Sequence, residues 1–163
     1  MLEPWRRIPV PSLCERMIGF SVPQGETVLV LSQEGRHLVS LNSPVTVETN
    51  HSCGEYDHYN PVTGICRYME KTWQIIGLHP GHPILGSPQG EWLELDETAE
   101  TVSVFLGTKE IWSASFENFS GDWAAATFSP DGRFIVLGCP YDFDFRVWQR
   151  VANPPRAAGL NPE

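Results

Sequence analysis

Apolar positions in this chain come in short runs and not at the three- and four-residue spacing of a helix face. Thr27-Val28-Leu29-Val30-Leu31, Arg36-His37-Leu38-Val39-Ser40-Leu41, Thr101-Val102-Ser103-Val104-Phe105-Leu106 and Arg133-Phe134-Ile135-Val136-Leu137-Gly138 are each bounded by turn-forming or polar residues. Such runs predict strands. The wholly apolar stretches 28–31 and 134–137 predict strands covered on both faces, whereas Val102-Ser103-Val104 alternates as a strand nearer solvent does. With 14 Gly and 14 Pro among 163 residues, breaks come too often for helices of ordinary length. The expected fold class is all-β.

Strand-turn-strand units then superpose on one another. Met17-Ile18-Gly19-Phe20-Ser21-Val22-Pro23-Gln24-Gly25-Glu26-Thr27-Val28 matches Pro83-Ile84-Leu85-Gly86-Ser87-Pro88-Gln89-Gly90-Glu91-Trp92-Leu93, and both match Ala125-Ala126-Thr127-Phe128-Ser129-Pro130-Asp131-Gly132-Arg133-Phe134-Ile135. In each, Pro sets φ for a turn, a polar residue follows, and Gly supplies positive φ before the next strand. The prolines stand at 23, 88 and 130, spacings of 65 and 42 residues. The second spacing is that of one propeller blade, roughly 40 to 45 residues.

At these residues the sequence resembles the WD-repeat β-propeller family, whose repeat is a four-stranded blade. The last unit, Phe128-Ser129-Pro130-Asp131-Gly132 with Val147-Trp148 downstream, carries the resemblance best. The middle unit begins at Gly81-His82, has Phe105 where the family prefers Trp, and places its fourth strand at Glu110-Ile111-Trp112-Ser113-Ala114. In the first unit, Leu38-Val39-Ser40-Leu41 has no aromatic residue at the third-strand position. Residues 50–80 fit least well: Asn60-Pro61-Val62-Thr63-Gly64-Ile65-Cys66 resembles a hairpin of half a blade, and the stretch otherwise reads as an insertion. A β-sandwich is the alternative architecture for short strands with frequent turns.

The resemblance covers about residues 17–150 and supplies three to three and a half units, fewer than the typical four to eight with which propellers close. An open arc leaves strand edges unpaired. Completion by a homo-oligomer, by a partner chain or by an unusually small closure all remain open, and Trp5-Arg6-Arg7-Ile8-Pro9-Val10 is a candidate outer strand for the last unit, in trans or by circular closure. The domain expectation is one all-β domain over 1–150 and a disordered tail over 151–163.

Charge narrows the partners. Eleven Lys and Arg against 20 Asp and Glu give a formal net charge of −9, and no basic run exists to track a phosphate backbone. Nucleic acid is therefore not an expected partner. No stretch approaches 18 uninterrupted apolar residues and the first residues lack the apolar centre of a signal peptide, so neither membrane insertion nor secretion is expected. Four irregularly spaced Cys suit free thiols and a cytoplasmic location better than a disulfide framework.

Candidate chemistry concentrates in 51–82. His51, Cys53, His58 and Cys66 offer the thiolate and imidazole that zinc prefers, with His79 and His82 further on. Their spacing is not a usual paired-ligand pattern, and a solvated polar loop or a Cys53–Cys66 disulfide accounts for the same residues. No nucleophile elbow, phosphate loop, dinucleotide fingerprint or zincin motif occurs. Trp73, Trp92, Trp112, Trp123 and Trp148 fall in or beside predicted strands and are assigned mostly to the core. Tyr56, Tyr59, Tyr141 and Phe143 fall in loops, where a rigid scaffold places its contacts, and are the predicted binding residues. The expected function is a non-catalytic protein–protein interaction scaffold or assembly subunit without a cofactor, the alternative being a small hydrolase or metal-dependent enzyme using 51–82.

Overall fold

The computed structural model describes residues 3–118 and 121–151. Alternation of short apolar runs with Pro, Gly and Asp turns produces fourteen strands among these residues, every pairing antiparallel, and a single 3-10 turn at Asp142–Asp144. The strands are β1 (Trp5–Ile8), β2 (Met17–Ser21), β3 (Thr27–Ser32), β4 (Gly35–Ser40), β5 (Thr46–Asn50), β6 (Tyr59–Asn60), β7 (Ile65–Tyr68), β8 (Lys71–Gly77), β9 (Glu91–Asp96), β10 (Thr101–Leu106), β11 (Lys109–Ser115), β12 (Ala125–Phe128), β13 (Phe134–Gly138) and β14 (Arg146–Arg150). The chain is all-β, as the sequence pattern predicts. No helix among the described residues is long and apolar enough to cross a membrane.

The repeated turn does what its residues dictate. Gly25, Gly90 and Gly132 all hold positive φ, at 58°, 87° and 77°, two residues after Pro23, Pro88 and Pro130. Each returns the chain into a strand antiparallel to the one before it: β2 to β3, Gly86 to Trp92 as a single bridge, and β12 to β13. In the unit around Pro88 the first strand is thus reduced to the backbone of Ile84–Ser87. There the Leu93 N–H donates to Leu85 O, the Ser87 N–H to Glu91 O and the Phe128 N–H to Ile84 O.

Three sheets result, in the orders β5-β4-β3-β2-β8-β7-β6, β11-β10-β9 and β1-β14-β13-β12, and none closes on itself. The N-terminal segment supplies the outer strand of the last unit within the same chain, with Trp5 opposite Arg150 and Ile8 opposite Val147. Val151, assigned to the tail, donates its N–H to Pro4 O at 2.9 Å; the rest of that expected tail, 152–163, lies outside the described residues.

Residues 50–80 depart from the repeat in a specific way. From β2 to β5, from Ile84–Ser87 to β11, and from β12 through β14 to β1, the strand order runs outward; from β6 to β8 it runs inward, and β8 pairs with β2. The stretch that matches the other units least well in sequence is thus also the one whose strand order is reversed. The β2–β8 contact requires glycines on both sides. Gly19 lies opposite Gly77, which has φ 146°, and a Cβ on Gly77 would fall 2.7 Å from both Gly19 Cα and Ile18 O.

Strict alternation distributes the core into three layers. Val28 and Val30 of β3 join Phe134 and Val136 of β13 in one cluster, with Phe20, Ile8 and Phe145. Ile135 and Leu137, on the opposite face of β13, pack with Leu93, Val102, Val104, Trp112 and Trp5. Leu29 and Leu31, on the opposite face of β3, pack with Tyr59, Cys66, Trp73 and Ile75. A β-sandwich has one core between two sheets, whereas here β3 and β13 each bury both faces in separate cores. The layers therefore run β6–β8, β2–β5, β12–β14 with β1, then β9–β11. No core cluster among the described residues joins β6–β8 directly to β9–β11.

Gly77→Ala tests the close approach. At Gly25 nothing lies within 4 Å of an added Cβ, so Gly25→Ala is expected to cost about 1 kcal/mol through its positive φ alone. Gly77→Ala, which forces β2 and β8 apart, is expected to cost about 2 kcal/mol or more. Urea midpoints of the two variants compared with the parent check the order; equal losses would remove the steric argument.

Candidate functional site

The ends of the layered stack meet at a groove. Six residues, 78–83, connect β8 to Ile84, and Pro80, Gly81 and Pro83 of that connection line a cleft of about 500 Å³. Ile76 and Gly77 of β8, Leu85, Trp92–Leu95 of β9 and Ala124–Ala126 at the start of β12 complete its walls. This volume falls in the range of ligand clefts, roughly 300 to 1,000 Å³. It exists because small side chains stand where larger ones would fill the junction: three alanines on one wall and two glycines on another. The backbone of the connection is pressed against β8, since a Cβ on Gly81 would sit 2.0 Å from Ile75 O. Glu94 is the one charged residue of the lining.

Of the five tryptophans assigned mostly to the core, Trp73, Trp112, Trp123 and Trp148 are buried and Trp92 is the exception, 49% exposed. The signal was present in Glu91-Trp92-Leu93-Glu94-Leu95-Asp96, because period-two alternation puts Trp92 on the face of Glu94 and Asp96. Leu78, 47% exposed, is a second large apolar side chain left in solvent beside the groove lining.

The predicted contact residues Tyr56 and Tyr59 come together. Their rings stack at 5.7 Å between centroids and 8° between planes, His79 meets both edge-on at 5.6 and 6.2 Å, and Tyr56 Oη lies 2.8 Å from His79 Nε2. His79 directly precedes Pro80, so this cluster adjoins the groove along the chain. Tyr59 is buried, and burial, reinforced by the neighbouring Tyr56 and Cys66, pushes its phenol up to about 12. Tyr141 and Phe143 also stack, at 5.4 Å and 13°, with the Arg16 guanidinium 5.5 Å from the Tyr141 centroid and paired to Asp122 at 2.7 Å. Tyr59, expected in a loop as a contact residue, instead belongs to β6 and is buried, because it packs with Cys66 and Trp73, so Tyr56 is the exposed member of that pair. His79 orders the Tyr56–Tyr59 pair and Arg16 the Tyr141–Phe143 pair.

A buried arginine that the sequence reading missed positions the first pair. Arg36, on β4, is 1% exposed and donates from Nη1 to Glu55 O at 3.2 Å and from Nη2 to Asp57 O, gripping the loop on either side of Tyr56. Asp57 in turn accepts the Gly54 N–H at 2.7 Å. Next to Arg36, His37 is fully buried, with Nε2 2.7 Å from Ser32 Oγ and Nδ1 2.9 Å from Thr49 Oγ1. A Ser–His contact is the pattern of an activated nucleophile. Here both members are fully buried, so the contact ties three strands together and reaches no substrate. Burial lowers the His37 imidazole below its ordinary value, outweighing the opposing Glu34 carboxylate.

The predicted metal ligands are not assembled. His51 is exposed and donates from Nδ1 to Glu34 O at 3.0 Å, His58 is exposed in a turn with φ 55°, Cys53 is half-buried, and Cys66 is buried opposite Tyr59 and Trp73. Among the described residues no three His, Cys, Asp or Glu side chains converge as a ligand set. All four cysteines are free thiols, so the Cys53–Cys66 disulfide alternative does not hold. Burial pushes the thiols of Cys14 and Cys139 up to about 12 and raises that of Cys66, which leaves these three protonated and poorly nucleophilic.

Two outcomes follow from β4. Arg36→Ala leaves two loop carbonyls without their charged donor and is expected to destabilise by about 2–3 kcal/mol, with loss of the Tyr56–His79 contact in NMR spectra. His37 is neutral in the fold and protonates on unfolding, so the unfolded state takes up the extra proton and stability rises with pH. That contribution is complete above the ordinary imidazole value of 6.5 and is lost as pH falls below it. Unfolding free energies measured between pH 7 and pH 5 should decline in the parent and decline less steeply in His37→Gln; identical slopes would contradict the assignment.

No family model, no curated protein and no solved structure matches this chain.

Proposed function

We propose that this chain is a non-catalytic protein-recognition module, a stack of blade-like units of the WD-repeat kind that presents its contact surface where the stack opens. The observation that carries this reading is the groove between β8, β9 and β12, apolar but for Glu94, with Trp92 exposed along it and the Tyr56–Tyr59–His79 cluster next to it in the chain. Exposed aromatic side chains held by a rigid strand framework are the usual anchors of protein contacts. Three of the four units keep the outward strand order that the WD-repeat resemblance implies, and β1 completes the last of them from within the chain. A protein partner, rather than self-completion of an unpaired last unit, is then what the open junction accommodates. Four free thiols fit a reducing, cytoplasmic setting. A metal-dependent hydrolase over 51–82 draws no support from the dispersed His51, Cys53, His58 and Cys66.

Site-specific photo-crosslinking in cells tests the reading. A benzoylphenylalanine at Trp92 or Tyr56 is expected to capture one discrete protein, and the same group at Val62, exposed in the Asn60–Ile65 turn, is not. Equal, diffuse labelling from all three positions, or none from any, would overturn it.

A further inference from the structure

We infer that the groove takes an extended peptide segment of a partner protein in which aliphatic side chains are flanked by lysine or arginine. The inference rests on the protein-recognition reading and adds the chemistry of the partner. Inside the groove, Leu85, Trp92 and the alanines of β12 offer apolar contact without a buried charge to satisfy. Immediately beyond it the surface changes character. Glu94 and Leu95 line the groove and also a shallow face of about 450 Å³, where Glu94 is joined by Asp96, Glu97 and Glu110 with Thr101, Ser103 and Phe105 between them. No basic side chain lines that face.

The register explains the juxtaposition. On β9, Trp92, Glu94 and Asp96 share one side, and their partners on β10 are Phe105, Ser103 and Thr101. A bulge between Val104 and Phe105 then sets Glu110 of β11 opposite Phe105. Trp92 therefore lines the groove, Phe105 opposite it on β10 lines the acidic face, and the carboxylates lead away from the groove along the same side of the sheet. An occupant with apolar side chains at its centre and cations at its end satisfies both surfaces at once. An acidic segment would meet four carboxylates and a net charge of −9. The same field speeds the approach of a basic segment, with a strong dependence on ionic strength.

The test uses fluorescence anisotropy of labelled nine-residue peptides on the purified full chain: Lys-Lys-Leu-Pro-Leu-Ile-Leu-Lys-Lys, a version with glutamate in place of every lysine, and a version with serine in place of every leucine and isoleucine. The lysine-flanked aliphatic peptide is expected to bind roughly tenfold or more tightly than either variant, and to weaken as salt rises from 50 to 500 mM. Glu94→Lys with Glu110→Lys, both on exposed side chains, should reverse the preference between lysine and glutamate flanks. Glu48→Lys on β5 controls for net charge and should not. Trp92→Ala should weaken every peptide. Equal binding of the lysine and glutamate versions, no binding of any peptide, or self-association of the chain that Trp92→Ala abolishes would each overturn the inference. If those failures come with discrete crosslinks from Trp92, the wider recognition reading stands and the peptide chemistry alone is wrong; if the crosslinks fail as well, both fall.

Discussion

The pairing of β1 with β14 is the contact on which the architecture depends, because four residues from the start of the chain connect two of its three cores. Trp5 and Ile8 point to opposite faces of that strand, Trp5 into the cluster under β9–β11 and Ile8 into the cluster against β2–β4. Trp5 lies 6.3 Å from Trp112, 5.9 Å from Phe128 and 4.3 Å from the Arg150 guanidinium, so one ring touches β11, β12 and β14. Arg150 extends the contact to the third unit through both carboxylate oxygens of Glu91, one of them at 2.9 Å. Burial by itself would raise the Glu91 carboxyl, but hydrogen bonds from Arg150 and Ser87 outweigh it and hold the group below its usual value. Trp5 Nε1 finds no acceptor among the described residues, which costs about 1–3 kcal/mol. Burying an indole of roughly 200 Å² returns about 5 kcal/mol at the usual coefficient, so the apolar term wins.

A closed last unit at one place sends the opening of the stack to another. The fourth unit packs against the first through the Phe134 and Val136 face of β13 and against the third through Ile135 and Leu137. The second unit, wound inward, spends its inner strand on β2 and its apolar face, Tyr59, Cys66, Trp73 and Ile75, on Ile18, Leu29 and Leu31. Between second and third units there remain only the connection 78–83 and the small side chains of Ala124–Ala126. The groove is thus a consequence of the reversed winding of β6–β8 together with glycine and alanine at the junction.

Much of this was legible in sequence. Wholly apolar runs at 28–31 and 134–137 correctly marked strands buried on both faces, and the repeated Pro-polar-Gly turn marked three strand entries whose glycines do hold positive φ. The direction in which β6–β8 winds was not legible, since strand order depends on which long-range pairing forms and the local pattern of 59–77 suits either. Tyr56, Tyr141 and Phe143 were found by their position between strands, whereas Tyr59 lies in β6; Arg36, which holds Tyr56 and its neighbours in place, reads in sequence as an ordinary polar residue at the start of a strand. Clustering of His and Cys in 51–66 suggested zinc ligands, a solvated loop or a disulfide alike, because proximity along the chain does not specify convergence in space. His51 follows β5 and faces Glu34 O, whereas Cys66 lies on β7 opposite Tyr59.

β1 belongs to the same cooperative body as the last unit, and among the described residues the stack is open between its second and third units. Native-state hydrogen exchange of the intact chain, resolved by residue, measures this directly. Closure by β1 predicts that the amides of Arg6–Ile8 that face β14 exchange as slowly as those of Ile135–Leu137, while the amides of the connection 79–83, beyond the Leu78 N–H that still bonds Ile18 O, exchange with the surface loops. Rapid exchange of β1 alongside a protected β12–β14 would show that the last unit stands without it and would contradict the account.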